Sequence, residues 1–112
     1  MSIAGDLIRG HTDAIILARL MHSDSYGYEI NKIICTLSDG RFELKEATLY
    51  TAFKRLEEAG CIASYWGDSG AGARRRYYTI TPAGRDTCHR LLDEWRETKL
   101  IMDQLLETEE TT

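Results

Sequence analysis

The sequence has no apolar run that approaches the ~20 residues needed to span a bilayer as a helix. Its first residues, Met1 to Asp6, lack the basic and then apolar pattern of a secretory signal peptide. We therefore expect a cytoplasmic protein with no membrane partner. The 112 residues are enough for one hydrophobic core but too few for two.

Cysteine and histidine are too few and too scattered to form a disulfide framework or a metal site. The cysteines are odd in number and far apart, at Cys35, Cys61 and Cys88. The histidines show no metal-ligand spacing with one another or with the cysteines: His11, His22 and His89. A redox sensor would need a nearby resolving cysteine, which is missing. We expect small buried thiols and no metal or other cofactor.

Motifs for catalysis are also lacking. No nucleophile motif of the G-x-S-x-G type occurs. The run Gly70, Ala71, Gly72 does not predict a nucleotide-binding loop, because no helix start follows it and the third glycine is missing. We therefore expect a protein that is not an enzyme.

Acidic residues outnumber basic ones, and the net charge of −4 would by itself disfavour a nucleic-acid partner. The excess is local, however. Residues 1–80 hold ten Lys plus Arg and ten Asp plus Glu, whereas residues 81–112 hold four against eight. Residues 41–80 hold seven against five. The sign of the local charge matters more for a DNA-binding surface than the overall balance.

Hydrophobic periodicity predicts four helices and three short strands. The helices are Ile3 to Met21 (divided near Gly10 and Thr12), a second up to Leu37 that Asp24 or Ser25 would cap, Ala47 to Ala59, and Pro82 to about Leu106. The strands are Arg41 to Leu44, Ile62 to Trp66 and Arg74 to Ile80, with a turn-rich loop from Gly67 to Gly72. The fold class predicted is α+β, mostly helical.

This order of elements is that of a winged helix, a helix-turn-helix with an added hairpin. Its third helix would present to the DNA groove the polar face Thr48, Thr51, Lys54 and Arg55, with Tyr50 on the flank. The hairpin would bring Arg74, Arg75 and Arg76 to the phosphates. Two alternatives stay open: an ordinary solvated helix face, and an edge strand kept soluble by its charges.

The last helix carries an apolar stripe that one domain of this size cannot cover. The stripe consists of Cys88, Leu91, Leu92, Trp95, Met102, Leu105 and Leu106. Self-association would cover it most simply. Trp95 then either packs in a dimer seam or stacks on flat aromatic ligands. The small-residue face of the first helix either allows close helix packing or leaves room for such a ligand: Leu7, Gly10, Ala14 and Ala18.

The sequence resembles the PadR-type transcriptional regulators, specifically the short subfamily with one C-terminal helix. The resemblance covers nearly the whole chain through Tyr26-Gly27-Tyr28-Glu29-Ile30, Leu44 to Tyr50, Lys54 to Glu57, Gly60, Ile62, Ser64 to Asp68, Arg75 to Tyr78, and Thr81, Gly84 and Arg85. Ala47 stands where many members have proline. Alanine loses a preset first helical turn but no contact.

This resemblance implies a winged-helix homodimer that represses its own promoter and often a neighbouring transporter or stress operon. It implies DNA contacts from Thr48, Tyr50, Lys54 and the wing arginines. In the drug-responsive branch, a tryptophan at the position of Trp95 lines a pore between subunits that binds planar aromatic compounds.

We therefore expect a dimeric repressor that binds a pseudo-palindromic operator in double-stranded DNA and is released by an aromatic ligand. Residues 1–80 would form the winged-helix domain, with an N-terminal helix that also contributes to the dimer interface. Residues 81–112 would form the C-terminal dimerisation helix and an acidic tail. The alternative is a dimeric ligand-binding or interaction module on the same scaffold without sequence-specific DNA binding.

Overall fold

The computed structural model of the protein describes residues 3–68 and 74–107. The helices are α1 (Ile3–Arg9), α2 (Thr12–Leu20), α3 (Gly27–Leu37), α4 (Glu46–Glu58) and α5 (Pro82–Leu106). The strands are β1 (Ser25–Tyr26), β2 (Ile62–Asp68) and β3 (Arg74–Ile80). Of the loop predicted from Gly67 to Gly72, Gly67 and Asp68 belong to β2 instead, and the rest lies outside the described residues, as does the tail from residue 108 onward. None of the described helices is long and apolar enough to cross a membrane.

The mostly helical α+β winged-helix fold is confirmed. α2, α3 and α4 enclose the core, and the antiparallel sheet, in the order β1-β3-β2, closes it. The face of α4 that the periodicity predicted to be buried is buried: Leu49, Ala52, Phe53 and Leu56. Phe53 stacks on Tyr78 of β3 at 4.0 Å between ring centroids, which fixes α4 against the hairpin.

The strand predicted at Arg41 to Leu44 is wrong. Phe42 and Leu44 are buried, as the alternation required, but the segment forms no strand. Leu44 instead donates its N–H to Asn31 Oδ1 (2.8 Å) and accepts from Asn31 Nδ2 (2.7 Å). The Phe42 N–H goes to Ser38 Oγ at 3.0 Å. Side chains of α3 and of its C-cap therefore satisfy backbone groups that a strand partner would otherwise bind.

The third strand lies elsewhere, and it also corrects the predicted cap of α3. Ser25 and Tyr26 form β1 and pair with Tyr78 and Tyr77 of β3. The residue that precedes α3 is Tyr26, which makes no side-chain capping bond, so neither Asp24 nor Ser25 is the N-cap. Ser25 pairs with Tyr78 in the sheet and lies one residue before the N-cap position, so it does not cap α3.

The last helix begins as predicted and extends away from the core. Thr81 accepts a hydrogen bond from the Gly84 N–H at 3.0 Å, and Pro82 occupies the first turn. In α5 only Gly84 and Cys88 are buried. The stripe from Leu92 to Leu106 is therefore largely uncovered, and the molecule is elongated, at 64 × 30 × 21 Å.

Candidate nucleic-acid interface

The polar face of α4 lies at the surface, opposite the four residues that it buries. Thr51 and Lys54 are exposed, Thr48 is half-buried, and the Tyr50 ring contacts Phe53 edge-on at 5.5 Å between centroids. Within the described residues, Lys54 makes no ion pair. An exposed and unneutralised cation one turn after two hydroxyl side chains suits contact with phosphates or base edges.

Arg55 differs from the rest of this face because it already has a partner. Its guanidinium forms an ion pair with Asp13 of α2, donating from both Nε and Nη2 to that carboxylate. The hydrogen bond to Asp13 raises the pKa of Arg55, although burial has a smaller opposing effect. Arg55 thus links α4 to α2, and any contact with DNA has to compete with Asp13.

The three arginines of β3 are all exposed, but their surroundings differ. Arg76 donates to Ser64 Oγ at 2.9 Å and forms a 3.4 Å ion pair with Glu57 of α4, so its charge is matched within the fold. Arg74 lies over the Trp66 ring, at 5.2 Å from the centroid. Arg75 lies over the Tyr26 ring at 4.4 Å.

Neither Arg74 nor Arg75 pairs with a carboxylate in the described part of the chain. Arg74 and Arg76 share one face of β3, as the strand alternation predicted, and Arg75 lies on the other. We call the hairpin of β2 and β3 the wing. The unmatched guanidinium groups of Arg74 and Arg75 are therefore its strongest candidates for binding an anion.

A cleft of about 330 Å³ lies between the wing, the start of α3 and α4. The residues that line it are Tyr26, Gly27, Tyr28, Tyr50, Arg74, Arg75 and Arg76. Gly27 permits this arrangement, because a Cβ at its position would lie 2.5 Å from Tyr50 Oη. Sequence reasoning did not place Tyr26 or Tyr28 at this surface. The available signal was Gly27 between two tyrosines, directly before an amphipathic helix.

A second, mostly apolar cavity of about 290 Å³ lies between α1, α2 and α5. The residues that line it are Ile8, His11, Ala14, Ile15, Ala18, Cys88, Leu91, Leu92 and Trp95. Trp95 is 45% exposed and meets the edge of His11 at 5.2 Å between ring centroids. Burial raises the pKa of the Cys88 thiol, which keeps it neutral beside this apolar space.

The predicted small-residue face contributes to this cavity only in part. Ala14 and Ala18 line it beside Trp95. Gly10 lines an adjoining polar cleft with Trp95, and Leu7 is exposed and lines neither space. The reason is the break between α1 and α2, because a continuous helix would have kept all four residues on one face. His11, at that break, was missed as a lining residue.

No group of three or more potential metal ligands occurs among residues 3–68 and 74–107. What the surface offers is cations, hydroxyl groups and aromatic rings. It suits the binding of anions or flat rings.

Comparison with known proteins places this arrangement in a family. Residues 16–90 match the model of the transcriptional regulator PadR-like family. A transcriptional regulator from Clostridium thermocellum is 45% identical, with a TM-score of 0.85 over 94% of this chain and 99% of that one. A PadR family transcription regulator from Clostridium difficile R20291 is 39% identical, with a TM-score of 0.75 over 86% of this chain and 98% of that one.

A protein X from Lysinibacillus sphaericus is also similar, at 44% identity over 94% of this chain and 96% of its own length. The family match covers both the helix-turn-helix and the wing, and it reaches into α5. The similarity extends over nearly the whole length of each relative. The chain therefore belongs to the PadR-like family of transcriptional regulators.

Proposed function

We propose that the protein is a homodimeric repressor that binds a pseudo-palindromic operator in its own promoter and in that of a neighbouring transporter or stress operon. In this proposal α4 docks in the major groove through Thr48, Tyr50, Thr51 and Lys54. Arg74 and Arg75 bind the flanking phosphates, and Arg76 supports the wing. A planar aromatic ligand beside Trp95 releases the operator.

The observation that carries the proposal is a cleft that Tyr50 of α4 lines together with Arg74 and Arg75 of the wing, two cations without a carboxylate partner among the described residues. Lys54, Arg74 and Arg75 have no carboxylate partner among the described residues, whereas Arg55 and Arg76 do. The adjacent charges of Arg74 and Arg75 repel each other, and a bound anion would offset that repulsion. Tyr50 lines the cleft beside the two arginines, and Thr51 is exposed at the next position of α4. In the proposal, α4 contacts the groove and the wing contacts the backbone.

Double substitution of the wing tests the DNA contacts. Arg74→Ala with Arg75→Ala removes two phosphate-binding cations per subunit. We expect the slope of log K against log salt concentration to become shallower by roughly 2–4 for a dimer, because each phosphate contact contributes about 0.9. Fluorescence anisotropy with the chain's own upstream DNA, titrated in salt, measures this slope.

The matched control is Arg90→Ala with Arg96→Ala, two exposed residues of α5, which changes the charge equally but leaves the wing intact. It should keep the wild-type slope. Absence of any sequence-specific binding by the wild type at low salt would contradict the repressor proposal. That result would favour the alternative, a dimeric module without DNA binding.

The ligand part of the proposal depends on the cavity beside Trp95. Planar dyes that quench tryptophan emission should lose this effect in Trp95→Ala while DNA affinity is retained. Trp66→Phe is the matched control, because Trp66 is the second of the two tryptophans and lies in the wing. Quenching that persists in Trp95→Ala, or that disappears in Trp66→Phe, would place the dye elsewhere.

A further inference from the structure

Three tyrosines form a row across the outer face of the sheet. Tyr26, Tyr77 and Tyr65 lie directly opposite one another on β1, β3 and β2, as the strand register requires. Tyr26 meets Tyr77 edge-on at 5.4 Å, and Tyr77 stacks on Tyr65 at 5.6 Å between ring centroids. Cross-strand aromatic pairs of this kind stabilise a sheet and restrict the rings. We call these three residues the tyrosine row.

The row is fixed at both ends. Tyr65 donates its hydroxyl to Asp24 Oδ2 at 2.7 Å, which connects β2 to the residue before β1 across β3. This hydrogen bond raises the pKa of Tyr65, so the phenol keeps its proton. At the other end, the guanidinium carbon of Arg75 lies over the Tyr26 ring, 4.4 Å from the ring centroid.

Gly67 leaves the space that the middle ring occupies. A Cβ at that position would lie 2.8 Å from two carbon atoms of the Tyr77 ring. Gly67 is also the strand partner of Arg75, so the side of β2 opposite Arg75 carries no side chain. The Arg75 side chain therefore contacts the face of the Tyr26 ring and lines the basic cleft.

An exposed arginine without a support samples many rotamers, and binding an anion then requires ordering it. A ring beneath the guanidinium restricts these rotamers before the anion binds, which lowers the entropy cost of binding. The N–H groups of the guanidinium stay available to the anion. Tyr65 and Asp24 do not line the cleft, so they act on it only through the row.

We propose that the tyrosine row is a positioning element, which holds Arg75 over the cleft so that it binds one phosphodiester of the DNA backbone. Tyr26, Tyr65 and Asp24 are thus positioning residues for a phosphate contact that Arg75 makes. This rests on the proposed function as a DNA-binding regulator.

A double-mutant cycle tests the positioning. Tyr26→Leu removes the ring beneath Arg75, and Tyr65→Phe removes only the hydrogen bond to Asp24. We expect Tyr26→Leu to weaken DNA binding about threefold per half-site when Arg75 is present, the size of an exposed cation–π contact. In an Arg75→Ala background it should have no effect. Tyr65→Phe should follow the same pattern with a smaller loss.

Trp66→Leu is the matched control. Trp66 supports Arg74 on the opposite face of the hairpin, so its effect should add to that of Arg75→Ala. Equal losses from Tyr26→Leu with and without Arg75 would show that the row merely stabilises the fold, and would overturn the proposal. So would the absence of any loss from both Tyr26→Leu and Tyr65→Phe.

Single methylphosphonate substitutions in the bound duplex identify the ligand. Neutralising one particular phosphate in each half-site should weaken DNA binding by the wild type. The same substitution should leave DNA binding by the Arg75→Ala variant unchanged. If no position shows this, Arg75 does not bind a phosphodiester and the proposal is wrong while DNA binding stands. If the wild type binds no specific DNA at low salt, both this proposal and the proposed function fail.

Discussion

Gly84→Ala is expected to destabilise the protein by about 3 kcal/mol, the upper part of the usual range for overpacking. A Cβ there would lie 2.9 Å from the Cys61 carbonyl carbon, closer still to its oxygen, and 2.8 Å from Ile80 Cγ1. The carbonyl belongs to the backbone and accepts the Thr81 N–H at 3.0 Å, so it has little freedom to move. Thermal unfolding should show a Tm lower by at least about 10 °C.

The sign of this prediction opposes helix propensity, because glycine within a helix is ordinarily about 1 kcal/mol less favourable than alanine. The clash with Cys61 outweighs that gain. Gly10→Ala is the matched control, since a Cβ at Gly10 would make an ordinary 3.4 Å contact with the Leu7 carbonyl. A Gly84→Ala protein as stable as Gly10→Ala, at equal concentration, would show that α5 does not need this close approach.

Met102→Glu with Leu105→Glu is expected to convert a dimer into monomers. Both side chains lie in the uncovered stripe of α5, and Leu105 is 71% exposed in the single chain. Two carboxylates per helix in an apolar seam would remain unpaired, which is costly. Sedimentation or light scattering measures the mass. Affinity for a two-half-site operator should fall by about 100-fold or more, because the second half-site contact is no longer intramolecular.

The control variant is Arg90→Gln with Gln104→Glu, which changes the charge of α5 by the same amount on its other side. It should keep the mass and affinity of the wild type. If the wild type is itself monomeric at micromolar concentration, or the Met102→Glu, Leu105→Glu variant stays dimeric, the stripe is not the dimer interface.

Local patterns were sufficient to predict most of the fold. Leu49, Ala52, Phe53 and Leu56 repeat at helical spacing, and burial follows that spacing whatever the helix packs against. Thr81 and Pro82 predicted the start of α5 because capping depends on neighbouring residues alone. The third strand could not be predicted, since pairing of Ser25 and Tyr26 with β3 joins segments some fifty residues apart.

The candidate site was predictable by residue type but not by partner. These cations are exposed, as the pattern indicated, yet it assigned Arg55 to the groove and Arg74, Arg75 and Arg76 to the phosphates without separating paired from unpaired side chains. Only the packing of α2 against α4 brings Asp13 to Arg55, and only the packing of α4 against the β2–β3 hairpin brings Glu57 and Ser64 to Arg76. Likewise the break after α1 separates Leu7 from the cavity that Ala14 and Ala18 line.

The amide of Asn31 makes two hydrogen bonds to one residue, the N–H and the C=O of Leu44. The loop between α3 and α4 therefore depends on its length more than on its composition. Exchanging the exposed Arg41 or Glu43 leaves both bonds in place, whereas inserting or deleting one residue moves Leu44 out of reach. We therefore expect that relatives of this chain vary in the charge of this loop while they keep the spacing from Asn31 to Leu44.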